Sequence, residues 1–326
     1  MPSLKPTASS SSTSAASSRS ARASSCPRTS TSPARRRPAA AQRAPGGGIT
    51  VYGNGFSWSN ANNAIVRYIR IRMGKGGDSG KDAITIADGN NMIFDHVSVS
   101  WGRDETFSIN GEVSNVTISD SIIAQGLETH SCGGLMQTNT GGVSLFRNAY
   151  IDNKTRNPKV KGVNDFQNNV VYNWGGGGGY IAGDSDGASY ANIINNYFIS
   201  GPSTSVTAFT RGNANFRGYV KNNFYDSNKD GVGASIARDA VDAALVKQIA
   251  SYGKSGALIS DEATMGGVGT IEAGTAKKDT DGDGIPDEYE TANGLNANDK
   301  SDGMKIGAGG YTNLEIYVNS LAPAVY

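Results

Sequence analysis

The chain has 326 residues, 43 of them glycine, and a formal charge of +1 at neutral pH, enough for one large domain or two ordinary ones with a sizeable core. Residues 1–48 carry eight bases (Lys5, Arg19, Arg22, Arg28, Arg35, Arg36, Arg37 and Arg43) and no acid, so the remainder sets 22 bases against 29 acids. Such a body is a poor polyphosphate binder, which argues against nucleic acid as its partner. No apolar run approaches the roughly 18 residues of a membrane span, and two cysteines, Cys26 and Cys132, are too few for a disulfide framework and leave the redox compartment open.

Residues 1–44 do not read as part of a folded domain. Thirteen serines lie between Ser3 and Ser32, and Leu4 is the only leucine, isoleucine, valine or aromatic residue of the segment. Such a stretch buries too little apolar surface to offset its ordering entropy and is expected to be disordered. It has no apolar signal-peptide region; it is Ser- and Arg-rich and acid-free, as a transit peptide is, but weakly amphipathic. The composition changes abruptly at Ala44-Pro45-Gly46-Gly47-Gly48, so residues 1–44 are read as a disordered, non-native or mis-framed segment ahead of a domain at 45–275.

From residue 63 short β-rich stretches recur, several followed by asparagine: Met92-Ile93-Phe94, Val116-Thr117-Ile118, Val143-Ser144-Leu145-Phe146-Arg147-Asn148, Phe166-Gln167-Asn168-Asn169-Val170, Ile193-Ile194-Asn195-Asn196-Tyr197 and Tyr219-Val220-Lys221-Asn222-Asn223-Phe224. Aligning Tyr68, His96, Ser121, Asn148, Asn169, Asn196 and Asn223 gives spacings of 28, 25, 27, 21, 27 and 27. A period in the twenties without helical periodicity predicts one coil of a β-solenoid per repeat. Asparagine tolerates left-handed backbone angles at a bend, and stacked asparagines can bond from coil to coil. A β-sandwich with Asn-rich turns is the competing fold, but its hairpins would show Asn-Gly or Asp-Gly turns, whereas here Asn-Asn sits inside apolar runs.

The stretches Asn63 to Arg72, Asp82-Ala83-Ile84, Asp95-His96-Val97-Ser98-Val99-Ser100-Trp101, Asp104-Glu105-Thr106, Thr155-Arg156-Asn157-Pro158-Lys159, Asn168 to Trp174 and Arg238-Asp239-Ala240-Val241-Asp242 together resemble the pectate lyase family, over about residues 45–270. The resemblance implies an all-β right-handed parallel β-helix, secretion, and calcium-dependent β-elimination of polygalacturonate by an enzyme with no membrane partner, acting as a monomer. That chemistry needs a cation to neutralise charge developing α to a carboxylate, and a base to take the C5 proton. By resemblance, Asp82 and Asp104, with Glu105 beside them, are calcium ligands, Arg156 is the base, and Lys161 is a substrate-carboxylate clamp assisted by Lys159. A third family acid aligns with Ser108 and is lost. A guanidinium is an awkward base because it is normally always charged, and it requires nearby cations to favour its neutral form.

Several other residues are weighed from the sequence alone. His130 stands in a loop where it could face substrate. Asp95-His96 is read as structural, because neighbours on a strand point to opposite faces. Cys132, with no nucleophile pattern around it, is read as packing. Trp101, Tyr180 and Gly175 to Gly179 either line a sugar cleft or form a corner loop. A non-catalytic β-helix binding acidic polysaccharide, or a calcium-independent pectin lyase, stays open beside the pectate lyase reading.

Val241 to Ile249 reads as a short amphipathic helix lying over the solenoid. Further on, Asp279, Asp281, Asp283, Asp287 and Glu290 occupy positions 1, 3, 5, 9 and 12 of a loop with Gly284 at position 6 and the Ile285 carbonyl at 7, the spacing of an EF-hand-type calcium loop. No convincing helix precedes it and Pro286 is atypical, so it resembles single dockerin-like or thrombospondin-type loops. Its expected role is structural: within a C-terminal segment at 276–326, it ties Tyr311 to Tyr317 back to the domain.

Overall fold

The computed structural model describes residues 49–225, 239–269 and 277–321. The segment expected at 1–44, residue 238 of the helix motif and the boundary near 275 lie outside the described residues.

The chain winds as a right-handed parallel β-helix. One sheet holds eight short strands, Ile49–Tyr52, Ile69–Arg72, Ser98–Ser100, Ile122–Ala124, Ala149–Ile151, Val170–Tyr172, Tyr197–Ile199 and Phe224–Tyr225, stacked in chain order. Longer strands such as Ile84–Asp95, Glu105–Ser119, Cys132–Phe146 and Lys159–Gln167 build the second, ten-stranded sheet. Each strand pairs with its equivalent one coil away, as in Arg70 with Ser98, Ser98 with Ile122, Ile122 with Ala149, Ala149 with Val170 and Val170 with Tyr197.

The corner before the short sheet is built from two adjacent positions with different tasks. Tyr68, His96, Asp120, Arg147, Asn168, Asn195 and Asn222 each take a left-handed backbone with φ between 50° and 57°. One sequence spacing is thereby corrected: His96 is level with Asp120, not Ser121, and that coil is 24 residues long. The following position carries the ladder. Asn148, Asn169, Asn196 and Asn223 are stacked so that the Asn169 amide donates to the Leu145 carbonyl and to Asn196 Oδ1, while its own Oδ1 accepts from the Asn148 backbone and side chain. Buried from Asn148 to Asn196 and half-buried at Asn223, every rung satisfies the one below it, the arrangement a polar group needs in an apolar interior.

Inside the coils lie Trp58, Phe94, Phe107, Tyr150, Phe166, Tyr180, Trp174 and Phe198. Outside, the short sheet is covered by helix α1 (Ala240–Ala250), whose Val241, Leu245 and Ile249 pack on Trp101, Ala124, Ile151, Val170 and Tyr172. Asp239 caps α1 by accepting from the Asp242 amide at 2.8 Å. Asp242, fully buried, accepts from Ser98 Oγ at 2.5 Å and from Arg72 at 2.9 Å. The stretch from Asp239 to Asp242 thus clamps α1 to two coils through the buried Arg72 guanidinium.

A second corner carries an unpaired acid. Asp152 is fully buried and held by Asn173 Nδ2 at 2.6 Å and Gln125 Nε2 at 3.5 Å, with no ion-pair partner among the described residues. Burial pushes its carboxyl up to about 7, although the hydrogen bonds from Asn173, Gln125 and the Ala257 backbone pull the other way. A raised folded-state value means the native state holds a proton that the unfolded chain has released. Stability is therefore highest below about pH 4 as far as this group is concerned, and falls as pH rises towards 7. Asp152→Asn should flatten that stretch of a melting-temperature-against-pH curve; an unchanged slope would show that the carboxyl stays ionised.

The C-terminal segment contains helices α2 (Asp287–Asn293) and α3 (Asn313–Ser320). Ile285 packs with Leu314 and Tyr317 of α3, and Arg67 of the solenoid donates to Asn319 Oδ1 at 2.6 Å. The loop is therefore tied to the stretch from Tyr311 to Tyr317, and that stretch in turn to the solenoid.

Candidate active site

Because coils stack in register, residues far apart in sequence meet at one edge of the long sheet. Asp82 lies just before strand Ile84–Asp95, Glu105 begins the next strand, Cys132 pairs with Glu105 one coil on, and Thr155 bridges to Cys132 one coil further. Asp104, His130 and Arg156 therefore also fall on successive coils. The carboxylates of Asp82, Asp104 and Glu105 come within 4.8 Å of one another. Asp82 accepts from the Glu105 amide at 3.1 Å and from Thr85 Oγ1 at 3.0 Å, which orients it towards its neighbours.

Glu105 is the centre of the group. It is 4% exposed and forms an ion pair with Arg156 Nη1. Burial pushes its carboxyl up to about 8; Arg156 opposes this, while Asp104 and Asp82 add to it. Burial also raises the Asp82 carboxyl. Asp104 Oδ1 is buried and accepts no hydrogen bond, although His130 Nε2 stands 3.1 Å away. Three crowded acids, one with an orphaned oxygen, suit a hard oxygen-seeking cation such as calcium. Ser108, three residues along, is buried in register between Thr85 and Leu135 and brings no carboxylate to the group.

Arg156 takes a left-handed backbone with φ of 58°, and its Nε is buried without a partner. Burial lowers the guanidinium, but Cys132, Glu105 and Asp104 outweigh it and the net shift is upward. The lysine neighbours invoked from the sequence do not reverse that: the carboxylates hold Arg156 protonated. Lys159 has its ammonium lowered by burial and by the charges of Arg156 and Arg211, against the pull of Asp184. Arg211 pairs with the same Asp184 at 3.2 Å and donates to Thr155 Oγ1 at 3.0 Å. Arg156, Lys159 and Arg211 thus form a cationic strip beside the acids. Lys161 sits in the Lys159–Gln167 strand opposite Gln137, its chain against Gly187, with no ion pair among the described residues.

Arg211 and Asp184 carry no motif in the sequence, and only the register of distant coils brings them here. Cys132 is buried and burial pushes its thiol up to about 12, in keeping with packing. His96 does bond to Asp95, at 2.9 Å, because it stands at a left-handed corner and not on a strand. Trp101 and Tyr180 line no cleft: the first lies under α1 with its Nε1 on Gln125 at 3.2 Å, the second in the solenoid interior. The glycine run is packed as well, since a Cβ on Gly177 would stand 2.4 Å from Thr155 Cβ.

In the C-terminal loop, Asp279, Asp281 and Asp283 gather as the spacing predicts, with Asp279 also accepting from the Gly282 and Gly284 amides. Glu290 joins through Asp283. Asp287 does not: its carboxylate accepts from the Thr280 amide and hydroxyl at 2.7 Å and pairs with Lys278 at 2.9 Å. The reason is local, since Asp287 opens α2 and turns back to close the loop's own base.

A parallel β-helix that sets a carboxylate cluster against a half-buried arginine on one face is the build of a polysaccharide lyase. Proteins named probable pectate lyase C from Neosartorya fischeri and Aspergillus fumigatus are 64% and 63% identical to this chain over 338 positions, covering 90% of it and 80% of each relative. One of the same name from Emericella nidulans is 60% identical over 339 positions, covering 90% and 79%. The chain belongs to the pectate lyase family. Among solved structures, a pectate lyase from Bacillus sp. N165 in complex with trigalacturonate aligns with a TM-score of 0.42 at 16% identity, over 66% of this chain and 73% of that one. No family model matches the chain.

Proposed function

We propose that this chain cleaves de-esterified polygalacturonate by calcium-assisted β-elimination, with Arg156 as the base. The observation that carries the reading is the ion pair of Arg156 with Glu105 at the rim of the Asp82, Asp104 and Glu105 cluster. In the reaction the C5 proton leaves to the base, its electrons form the C4–C5 double bond, and the C4–O bond breaks. The departing sugar oxygen then takes up a proton. Calcium, when bound, would supply positive charge that offsets a substrate carboxylate and stabilises the carbanion-like charge at C5.

Asp82, Asp104 and Glu105 would hold the ion. Arg156 is pinned and kept protonated while Glu105 faces it, so it can act as a base only once Glu105 turns away from Nη1 towards the cation. Lys159, Lys161 and Arg211 offer positive charge to neighbouring substrate carboxylates, and the pairing of Lys159 and Arg211 with Asp184 keeps the strip in place. His130, exposed beside Asp104, is placed at the mouth of the site. No helix among the described residues is long and apolar enough to cross a membrane; with a plant cell-wall polymer as substrate, we assign the protein to the extracellular space, acting as a monomer.

The test is the ultraviolet absorbance of the new double bond. Polygalacturonate with calcium should give it, and a chelator should abolish it until calcium is restored. Undiminished activity in chelator, with methyl-esterified pectin preferred, would favour the pectin lyase reading.

A further inference from the structure

We propose that Asp302 is a direct ligand in a C-terminal calcium site, joined there by Asp281, Asp283 and Glu290, so that one ion fastens three separate stretches of chain. The loop spacing alone points to Asp287 and gives no hint of Asp302. In the fold, however, the carboxylates of Asp283, Glu290 and Asp302 lie within 4.8 Å of one another, and Asp283 is also in the group with Asp279 and Asp281.

Two independent features show that this is a ligand set and not a solvated acidic turn. The first is burial without partners. Glu290 is fully buried and Asp302 is 5% exposed, yet both Glu290 oxygens, Asp302 Oδ1, Asp281 Oδ2 and Asp283 Oδ2 accept no hydrogen bond. Buried carboxylate oxygens without partners are costly, and no base in the described residues pairs with these four acids. The nearby lysines are engaged elsewhere: Lys277 with Glu288, Lys278 with Asp287, and Lys305 with Asp299. The second is the shape of the approach. A Cβ on Gly303 would stand 2.1 Å from Asp283 Oδ2, so a glycine is what lets the turn carrying Asp302 close on the loop. An all-carboxylate set of this number is chemistry for calcium; magnesium keeps most of its water, and softer metals prefer nitrogen and sulfur.

The placement has a consequence for the fold. The Asp302 carbonyl accepts from Asn313 Nδ2 at 2.9 Å, at the first residue of α3, and α3 carries Leu314 and Tyr317 onto Ile285. An ion held by Asp302 would thus draw α3 against the loop, and α3 is the element that Arg67 joins to the solenoid. The inference stands apart from the elimination chemistry and concerns the ion that holds the C-terminal segment.

The experiment compares the full-length protein with its Asp302→Asn variant by thermal melting in calcium and in chelator, together with calorimetric calcium titration. In calcium the variant should melt lower, and one of its calcium dissociation constants should rise at least about tenfold while the other is unchanged. In chelator it should melt at the same temperature or higher, because asparagine keeps the shape while removing an unpaired buried charge. An unchanged calcium affinity, or an equal loss of melting temperature in both conditions, would overturn the proposal. The second outcome would reduce Asp302 to its hydrogen bond from the Asn296 amide.

Discussion

Arg156→Ala is expected to lower turnover on polygalacturonate by about a thousandfold, the middle of the range for removing a positioned proton acceptor, while the fold stays intact. The side chain is half-buried at the rim of the solenoid, so the β-rich circular dichroism spectrum should be unchanged. Removing it takes away the proposed base and leaves the three acids where they are. Calcium should if anything bind more tightly, because Glu105 loses the partner that competes for it. Arg156→Lys keeps a charge but shortens the reach and lacks the guanidinium, and should be nearly as poor. Turnover within a few-fold of the parent in either variant, at saturating substrate, would show that the proton goes elsewhere.

The largest effect on stability is expected at Arg72, far from that chemistry. Its guanidinium is fully buried between two coils and α1, meeting Asp242 at 2.9 Å and Asp239 at 3.1 Å, with Ser98 Oγ at 2.8 Å. Breaking a buried pair by removing one partner costs about 3–5 kcal/mol, because the remaining charge is left uncompensated. Arg72→Ala leaves Asp242, itself fully buried, with only the Ser98 hydroxyl and the more distant Arg70 at 4.0 Å, and should lower the unfolding midpoint in denaturant accordingly. Arg72→Met with Asp242→Leu removes both charges and should recover much of the loss. A single variant as stable as the parent would mean that α1 is held by its apolar face alone.

Much of this was legible in the sequence, for physical reasons that differ by element. The coil period showed because every coil must turn the same corner, and a left-handed turn followed by a ladder position favours Asn-Asn. The slip between His96 and Ser121 arose where those asparagines are missing: Tyr68, His96 and Arg147 hold the same backbone without a side chain that announces it. Asp82, Asp104 and Glu105 one coil on, and Arg156 two coils further, were visible as motifs. Arg211, Asp184 and Asp302 were not, since register between distant segments and a turn that closes through Gly303 leave no local pattern. Trp101 and Tyr180 were misplaced because an aromatic residue in a β-helix reads alike whether it faces the cleft, the interior or the underside of a covering helix.

The central claim is that bond cleavage here is elimination at C5 driven from the edge holding Glu105 and Arg156. The most direct measurement is the mass of the oligogalacturonides released from polygalacturonate in calcium, read alongside their ultraviolet absorbance. Elimination adds no water, so each new non-reducing end should be lighter by one water than a hydrolytic end and should absorb as an unsaturated uronide. Fully hydrated ends without that absorbance would contradict the account.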